Sequence, residues 1–136
     1  MYSSILVPIA LDHSGRSGPA IETARALLEP GGTITLLHVI EDIPSYASTY
    51  IPQSVFDQNR EAAETKLDLM AKEVDATAKT VVIWGHAAST ILEFAREQEM
   101  DCIVIASHRP GIQDYFLGST ASRVVRHATC TVHVMR

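Results

Sequence analysis

The sequence predicts an α/β fold in which a doubly wound, five-stranded parallel sheet is sandwiched by helices. Two observations lead to this fold class. Short apolar runs rich in β-branched residues alternate five times with segments whose apolar residues recur every three or four positions. The apolar runs are continuous, which is typical of parallel strands covered on both faces. Right-handed crossovers between such strands then bring helices to both faces of the sheet.

The first half of the chain begins with a strand predicted at residues 4–9. Pro8 has no N–H to donate, so it marks the end at which the chain leaves the sheet. Helical spacing over positions 20–28 predicts a helix, and Pro30 with the two glycines after it stops that helix. A second strand is predicted at residues 33–40.

The middle and second half of the chain continue the alternation. A long irregular segment, residues 41–56, carries two prolines and two tyrosines and is interpreted as a flexible flap. The remaining predicted elements are an amphipathic helix at 57–75, a strand at 80–84, a helix at 89–98, a strand at 102–106, a helix at 119–127 and a strand at 131–135.

Size and composition limit the classes of function. With 136 residues, of which 46% are hydrophobic, we expect a single domain over residues 1–136. The net charge is -5 and the 11 Lys and Arg residues are scattered, which argues against nucleic acid as a partner. No apolar run approaches the roughly 20 residues that span a bilayer, and no signal peptide is recognisable. Cys102 and Cys130 lack redox or zinc spacing and are expected to be buried free thiols of a cytosolic protein.

Several catalytic and metal-binding motifs are missing from the sequence. The six histidines show no metal-ligand spacing, and His38 and His133 fall inside strands, where a hydrogen-bonded structural role is commoner. There is no nucleophile elbow, Walker A motif or GxGxxG loop, and no acceptor Asp of a phosphate receiver after the third strand. Metal, hydrolase and receiver functions are therefore disfavoured.

The strongest local signal lies between the fourth strand and the last helix. Polar residues follow the strand and a hydroxyl-rich sequence starts the helix: Ser107, His108 and Arg109, then Gly118, Ser119 and Thr120. Backbone N–H groups at such a helix start form an anion pocket, to which an arginine would add a cation. An ordinary N-capped helix after a surface loop is the alternative. If the first strand neighbours the fourth, the loops after Ile9 and Ile105 face each other at the switch point of the sheet.

The chain resembles a universal stress protein over essentially its full length. The segments that carry this resemblance are Ile5-Leu6-Val7-Pro8-Ile9, Leu37-His38-Val39-Ile40, Ile103-Val104-Ile105-Ala106-Ser107-His108, Leu117-Gly118-Ser119-Thr120-Ala121, Val124-Val125-Arg126-His127-Ala128 and the closing strand from Cys130 onwards. The resemblance implies a cytoplasmic, dimeric stress-response protein that binds an adenine nucleotide.

The chain departs from the ATP-binding members of that family in two ways. Those members carry Gly-x-x-Gly, a spacer and Gly-Ser/Thr, whereas Ala106 and Arg109 stand at the two glycine positions and the loop is shorter. The run from Ala106 to Pro110 is instead similar to a short-loop branch whose members also bind nucleotide. Ala10 stands where the family usually has an aspartate that contacts the nucleoside, and Asp12 is a candidate to compensate.

Carried over position by position, the resemblance implies a set of ligand contacts. Pro8 and Ile9 would wall the adenine, and the backbone of Val39 would read its edge. Ile105 and Ala106 would floor the ribose. Gly118, Ser119 and Thr120 would hold the phosphates, next to Ser107, His108 and Arg109. The ligand is ATP, AMP or ADP, with the need for Mg²⁺ left open.

The closing strand is also expected to pair with its mate in a homodimer, through Thr131, Val132, His133, Val134 and Met135. We interpret the protein as a regulator in which nucleotide occupancy changes the segment at residues 43–56 and hence a surface seen by an unknown protein partner. Two alternatives stay open: slow ATP hydrolysis or self-phosphorylation with Ser119 or Thr120 as acceptor, and a nucleotide-free dimeric interaction module.

Overall fold

A computed structural model describes residues 1–11, 17–75, 77–107 and 118–136, and in these residues it contains five strands and five helices. Strands and helices alternate except between the second and third strands, where two helices follow one another. The strands are β1 (Tyr2–Pro8), β2 (Leu28–Glu41), β3 (Lys79–Gly85), β4 (Cys102–Ala106) and β5 (Thr131–Met135). The helices are α1 (Ser17–Leu27), α2 (Ser45–Ser48), α3 (Gln53–Val74), α4 (Ala87–Glu97) and α5 (Ser119–His127). The bounds predicted for β4, α5 and β5 are confirmed.

The sheet has the strand order β3-β2-β1-β4-β5, and every pair is parallel. β1 is the central strand, with Ile5 paired to Ile34 of β2 on one side and to Cys102 of β4 on the other. The predicted fold class is confirmed, and so is the condition that the first strand neighbours the fourth.

Each face of the sheet carries its own half of the core. Ile5 and Val7 of β1 pack with α1 and α3 on one face. Leu6, which points the other way, packs with α4 and α5 on the opposite face. Because both faces are covered, the strands need apolar residues at every position, and this explains the continuous runs in the sequence.

β2 begins earlier than predicted, at Leu28. Tyr2 pairs with Leu28, but Ser4 pairs with Thr33, so the ladder contains an irregularity over residues 29–32. Pro30 has no N–H to donate, and it is tolerated here because the regular hydrogen bonding between β1 and β2 is interrupted. Gly31 adopts a φ of 84°, which favours glycine.

The segment between β2 and α3 corrects the prediction of an irregular flap over residues 41–56. A short helix, α2, lies within it, and α3 begins at Gln53 rather than at residue 57. Pro52 precedes α3 with a φ of -60°, which suits a helix start and explains the earlier beginning. Tyr46 and Tyr50 are 78% and 87% exposed.

Asp101 joins the amino ends of the two central strands. Its carboxylate accepts hydrogen bonds from the N–H groups of Ser3 (2.9 Å) and Ser4 (3.1 Å) and from the Ser3 hydroxyl (2.9 Å). Partial burial of the carboxyl group raises its pKa, but these hydrogen bonds outweigh that effect and the pKa of Asp101 lies below its usual value.

Both cysteines are free thiols, as predicted, and Cys102 is buried, but Cys130 is only partly buried, which corrects the prediction that both are buried. Burial, with contributions from Cys130 and Asp101, raises the pKa of Cys102 to about 11. Burial also raises the pKa of Cys130. Within the described ranges, no helix is both long enough and apolar enough to cross a membrane.

Candidate functional site

The carboxyl ends of β1, β2 and β4 lie side by side at one edge of the sheet. The chain passes from β1 to α1 on one face, whereas it passes from β4 to α5 on the other face. The two connections therefore diverge between neighbouring strands and leave a crevice at the switch point. Ligands of open α/β sheets bind in such crevices.

A cavity of about 480 Å³ occupies this crevice. Its walls come from the carboxyl ends of the three strands, from the residues that follow β1, and from the starts of α4 and α5. A volume of this size is in the usual range of small-molecule sites. The lining is largely aliphatic, with a few polar groups at the rim.

Two hydrogen bonds to β2 hold Ile9, the residue that follows β1. The Ile9 N–H donates to the Leu37 carbonyl at 2.8 Å. The Ile9 carbonyl lies 2.7 Å from His38 Nδ1, and because a carbonyl can only accept, Nδ1 carries the proton. His38 is thus a hydrogen-bonded histidine within a strand, as predicted. These two bonds fix the wall that Pro8 and Ile9 present to the cavity.

The start of α5 brings backbone N–H groups to the site. Gly118 is the N-cap residue, and it has no side chain with which to cap this helix. The Gly118 N–H donates to the Ser107 carbonyl, which joins the end of β4 to the start of α5. Thr120 lines the cavity. The N-terminus of a helix attracts anions.

The start of α4 lies at the same cavity but already has an acidic partner. The Glu41 carboxylate, at the end of β2, accepts a hydrogen bond from the Ala87 N–H through Oε1 at 3.2 Å. Its Oε2 lies 3.6 Å from His86 Nδ1. Glu41 and Ala87 both line the cavity. The two helix starts therefore differ in charge.

Most of the residues predicted from the sequence meet at this cavity. Those that line it are Pro8, Ile9, Ala10, Val39, Ile105, Ala106 and Thr120. Ser107, Gly118 and Ser119 stand next to it without lining it, and Ser107 is buried with its N–H bonded to the Met135 carbonyl at 2.8 Å. The other predicted residues, Asp12, His108 and Arg109, lie outside the described residues.

Sequence reasoning missed part of the lining: Leu11, Leu37, His38, Glu41, Ala87 and Ile91. The period of two along a strand could have added Leu37 and Glu41, because they share a face with Val39. Ala87 and Ile91 required knowledge that α4 packs beside the switch point, and the helical pattern alone does not contain it.

Other features of the described residues fit a ligand site less well. Cavities of about 310 and 280 Å³ lie away from the switch point, the second of them beside Phe56 and Trp84. Among the residues that the structure describes, no group of three or more His, Cys, Asp or Glu side chains could hold a metal ion.

Comparison with known proteins agrees with the geometry. The model of the "Universal stress protein family" matches residues 1–136. The chain belongs to the universal stress protein family. It is 35% identical over 145 residues to universal stress protein G of Salmonella typhimurium, with all of both chains covered.

Solved structures of this family share the fold. Universal stress protein UspA from Lactobacillus plantarum is 27% identical, with a TM-score of 0.78 and coverage of 99% of this chain and 98% of that one. The universal stress protein from Archaeoglobus fulgidus, solved in complex with dAMP, is similar in fold at 17% identity, with a TM-score of 0.70 and coverage of 99% and 98%.

Proposed function

We propose that this universal stress protein acts as a single domain in the cytoplasm and binds an adenine nucleotide in the cavity at its switch point. ATP or AMP serves there as a regulatory ligand of a homodimer, with Mg²⁺ accompanying the longer phosphate chain. The observation that carries this proposal is the cavity itself, where aliphatic walls meet the start of α5.

The chemistry of the lining supports a nucleotide. Ile9, Val39 and Ile105 offer aliphatic surface of the kind that contacts a base and a ribose. The N–H groups at the start of α5 would donate hydrogen bonds to the phosphates. The fold is also suited to such a ligand, since the similarly folded Archaeoglobus fulgidus protein holds dAMP.

Ala10 makes the proposed site weaker than one with an aspartate at this position. Losing one hydrogen bond to a charged group costs about 1.5–3 kcal/mol, which lowers affinity by roughly ten- to a hundredfold. The remaining contacts are with backbone and apolar groups, which Ala10 does not disturb. We therefore expect binding that is weakened and still measurable.

Isothermal titration calorimetry of the full chain with AMP, ADP and ATP, with and without Mg²⁺, tests the proposal. Binding with a Kd below about 1 mM is expected for at least one of them. Ala106→Leu places extra carbon atoms in the cavity floor and should abolish the heat. Ala62→Leu makes the same change on the exposed surface of α3 and should leave binding unaltered.

Absence of heat with every nucleotide at millimolar concentration would contradict the proposal and favour the interaction module. Equal binding by the Ala106→Leu variant would move the ligand to another place on the molecule. Rapid multiple turnover of ATP would replace a regulator with an enzyme, and Ser119→Ala would then test whether Ser119 accepts phosphate.

The homodimer is proposed to form through β5, which lies at one end of the sheet and carries no Asp, Glu, Lys or Arg. The Met135 carbonyl bonds to the Ser107 N–H of the segment after β4, so the backbone groups of Met135 face inward. The N–H and C=O groups of successive residues point to opposite sides of a strand, so those of Val132 and Val134 point outward, away from β4.

Because backbone groups along β5 point alternately inward and outward, two proline substitutions can test the homodimer. Val132→Pro removes an outward N–H and should yield a folded monomer in analytical ultracentrifugation, because proline is tolerated on an edge strand. His133→Pro removes an inward N–H that belongs to the ladder and should instead lower stability. A wild-type protein that sediments as a monomer would contradict the proposal.

A further inference from the structure

The cavity at the switch point has two helix starts on its border, and they are not equivalent. The start of α4 reaches it through Ala87 and the start of α5 through Thr120. The Glu41 carboxylate accepts the hydrogen bond of the first N–H of α4, whereas the N-cap residue of α5 is Gly118, which has no side chain to cap the helix. One end of the cavity is thus acidic and the other attracts anions.

Glu41 is placed to face a ligand. It follows Val39 by two positions on β2, so both side chains lie on the same face of the strand, and both residues line the cavity. Its side chain is 63% exposed, at the rim. A carboxylate has about four acceptor positions, and the Ala87 N–H uses one of them.

We propose that Glu41 selects the base of the nucleotide: it favours a base with an exocyclic amino group, as in adenine, over one with an oxygen at that position. This inference rests on the proposed function and deepens it. Repulsion from Glu41 turns the phosphates toward α5, which brings the base toward the rim of α4. An ionised carboxylate accepts from an amino group, but it repels a carbonyl oxygen because neither has a proton to donate.

The test compares AMP with IMP, which carries an oxygen in place of the amino group, by isothermal titration calorimetry. Glu41→Gln keeps the length of the side chain and an acceptor for the Ala87 N–H, and it adds a donor that can meet the oxygen of IMP. The ratio of AMP to IMP affinity should fall by about five- to tenfold in this variant, the lower part of the range for a charged hydrogen bond because the site is exposed.

Glu93→Gln provides the matched control, since it makes the same change on an exposed position of α4 that does not line the cavity. The ratio of AMP to IMP affinity in Glu93→Gln should equal that of the wild type. A purely structural role of Glu41 as the cap of α4 would weaken both nucleotides together and leave the ratio unchanged.

A second measurement needs no variant. Purine riboside 5′-monophosphate, which lacks the substituent, should bind the wild type with an affinity between those of AMP and IMP. An unchanged ratio in Glu41→Gln, or IMP binding the wild type as well as AMP does, would overturn this inference and leave the proposed function standing. Failure of the wild type to bind any of the three would overturn both.

Discussion

An aspartate at position 10, which the family resemblance leads us to expect there, should strengthen nucleotide binding. Ala10 lines the cavity and is exposed, so Ala10→Asp introduces a carboxylate without burying it. The preceding residue, Ile9, is held at its N–H by Leu37 and at its carbonyl by His38, and little backbone freedom remains to be lost on binding.

The gain in affinity expected from Ala10→Asp depends on the exposure of position 10 at the rim of the cavity. A hydrogen bond to a charged group contributes about 1.5–3 kcal/mol, and exposure at the rim reduces this to about 1–2 kcal/mol, or roughly five- to thirtyfold in affinity for AMP. Isothermal titration calorimetry measures it, with Ala10→Asn as a control that offers the hydrogen bond without the charge and should gain less. An affinity that is unchanged or weaker in Ala10→Asp would refute this placement of the nucleoside.

Three further predictions concern stability and reactivity. Leu67→Ala should lower the free energy of unfolding by about 2–5 kcal/mol in urea titrations, because Leu67 is fully buried on the inner face of α3. Leu69→Ala, at a position of the same helix that is 59% exposed, should change it by less than about 0.5 kcal/mol. Asp101 has a lowered pKa, so it stabilises the fold above the pKa of the unfolded chain, and this contribution is lost as the pH falls through its folded pKa. Asp101→Asn should thus be less stable than the wild type at pH 7, by less than about 1 kcal/mol, and the gap should close in acid denaturation series below about pH 4. With a pKa of about 11, roughly one Cys102 thiol in a thousand is ionised at pH 8, so native protein should react with a thiol reagent far more slowly than unfolded protein, and fast labelling of Cys102 in the native state would contradict its burial.

The sequence predicted β4, α5 and β5 to the residue because each of these elements has clear limits. β4 is an uninterrupted apolar run, α5 follows Gly118, and β5 is a short run in which Val132 and Val134 alternate with Thr131 and His133. The start of β2 was harder to predict, because Pro30 and the two glycines after it indicate a break between elements. The chain instead keeps pairing with β1 through an irregular ladder, a tertiary effect that local signals do not contain.

The site was predictable where it depends on strand ends and not where it depends on packing. Ile9 and Ile105 could be brought together from topology rules alone, because the strand order of such sheets is limited. Glu41 was missed because it falls at the start of a segment interpreted as a flap. Its contact with Ala87 joins residues 46 positions apart, and only the packing of α4 against the sheet creates it.

The location of the nucleotide is tested most directly by two-dimensional ¹H–¹⁵N NMR of the full chain during titration with AMP. The largest shifts are expected at the amides of Ile9, Val39, Ala106 and Thr120, which lie around the cavity at the switch point. Shifts centred on the indole of Trp84, beside the separate cavity at the edge of the sheet, or a spectrum that AMP does not change, would contradict the proposed site.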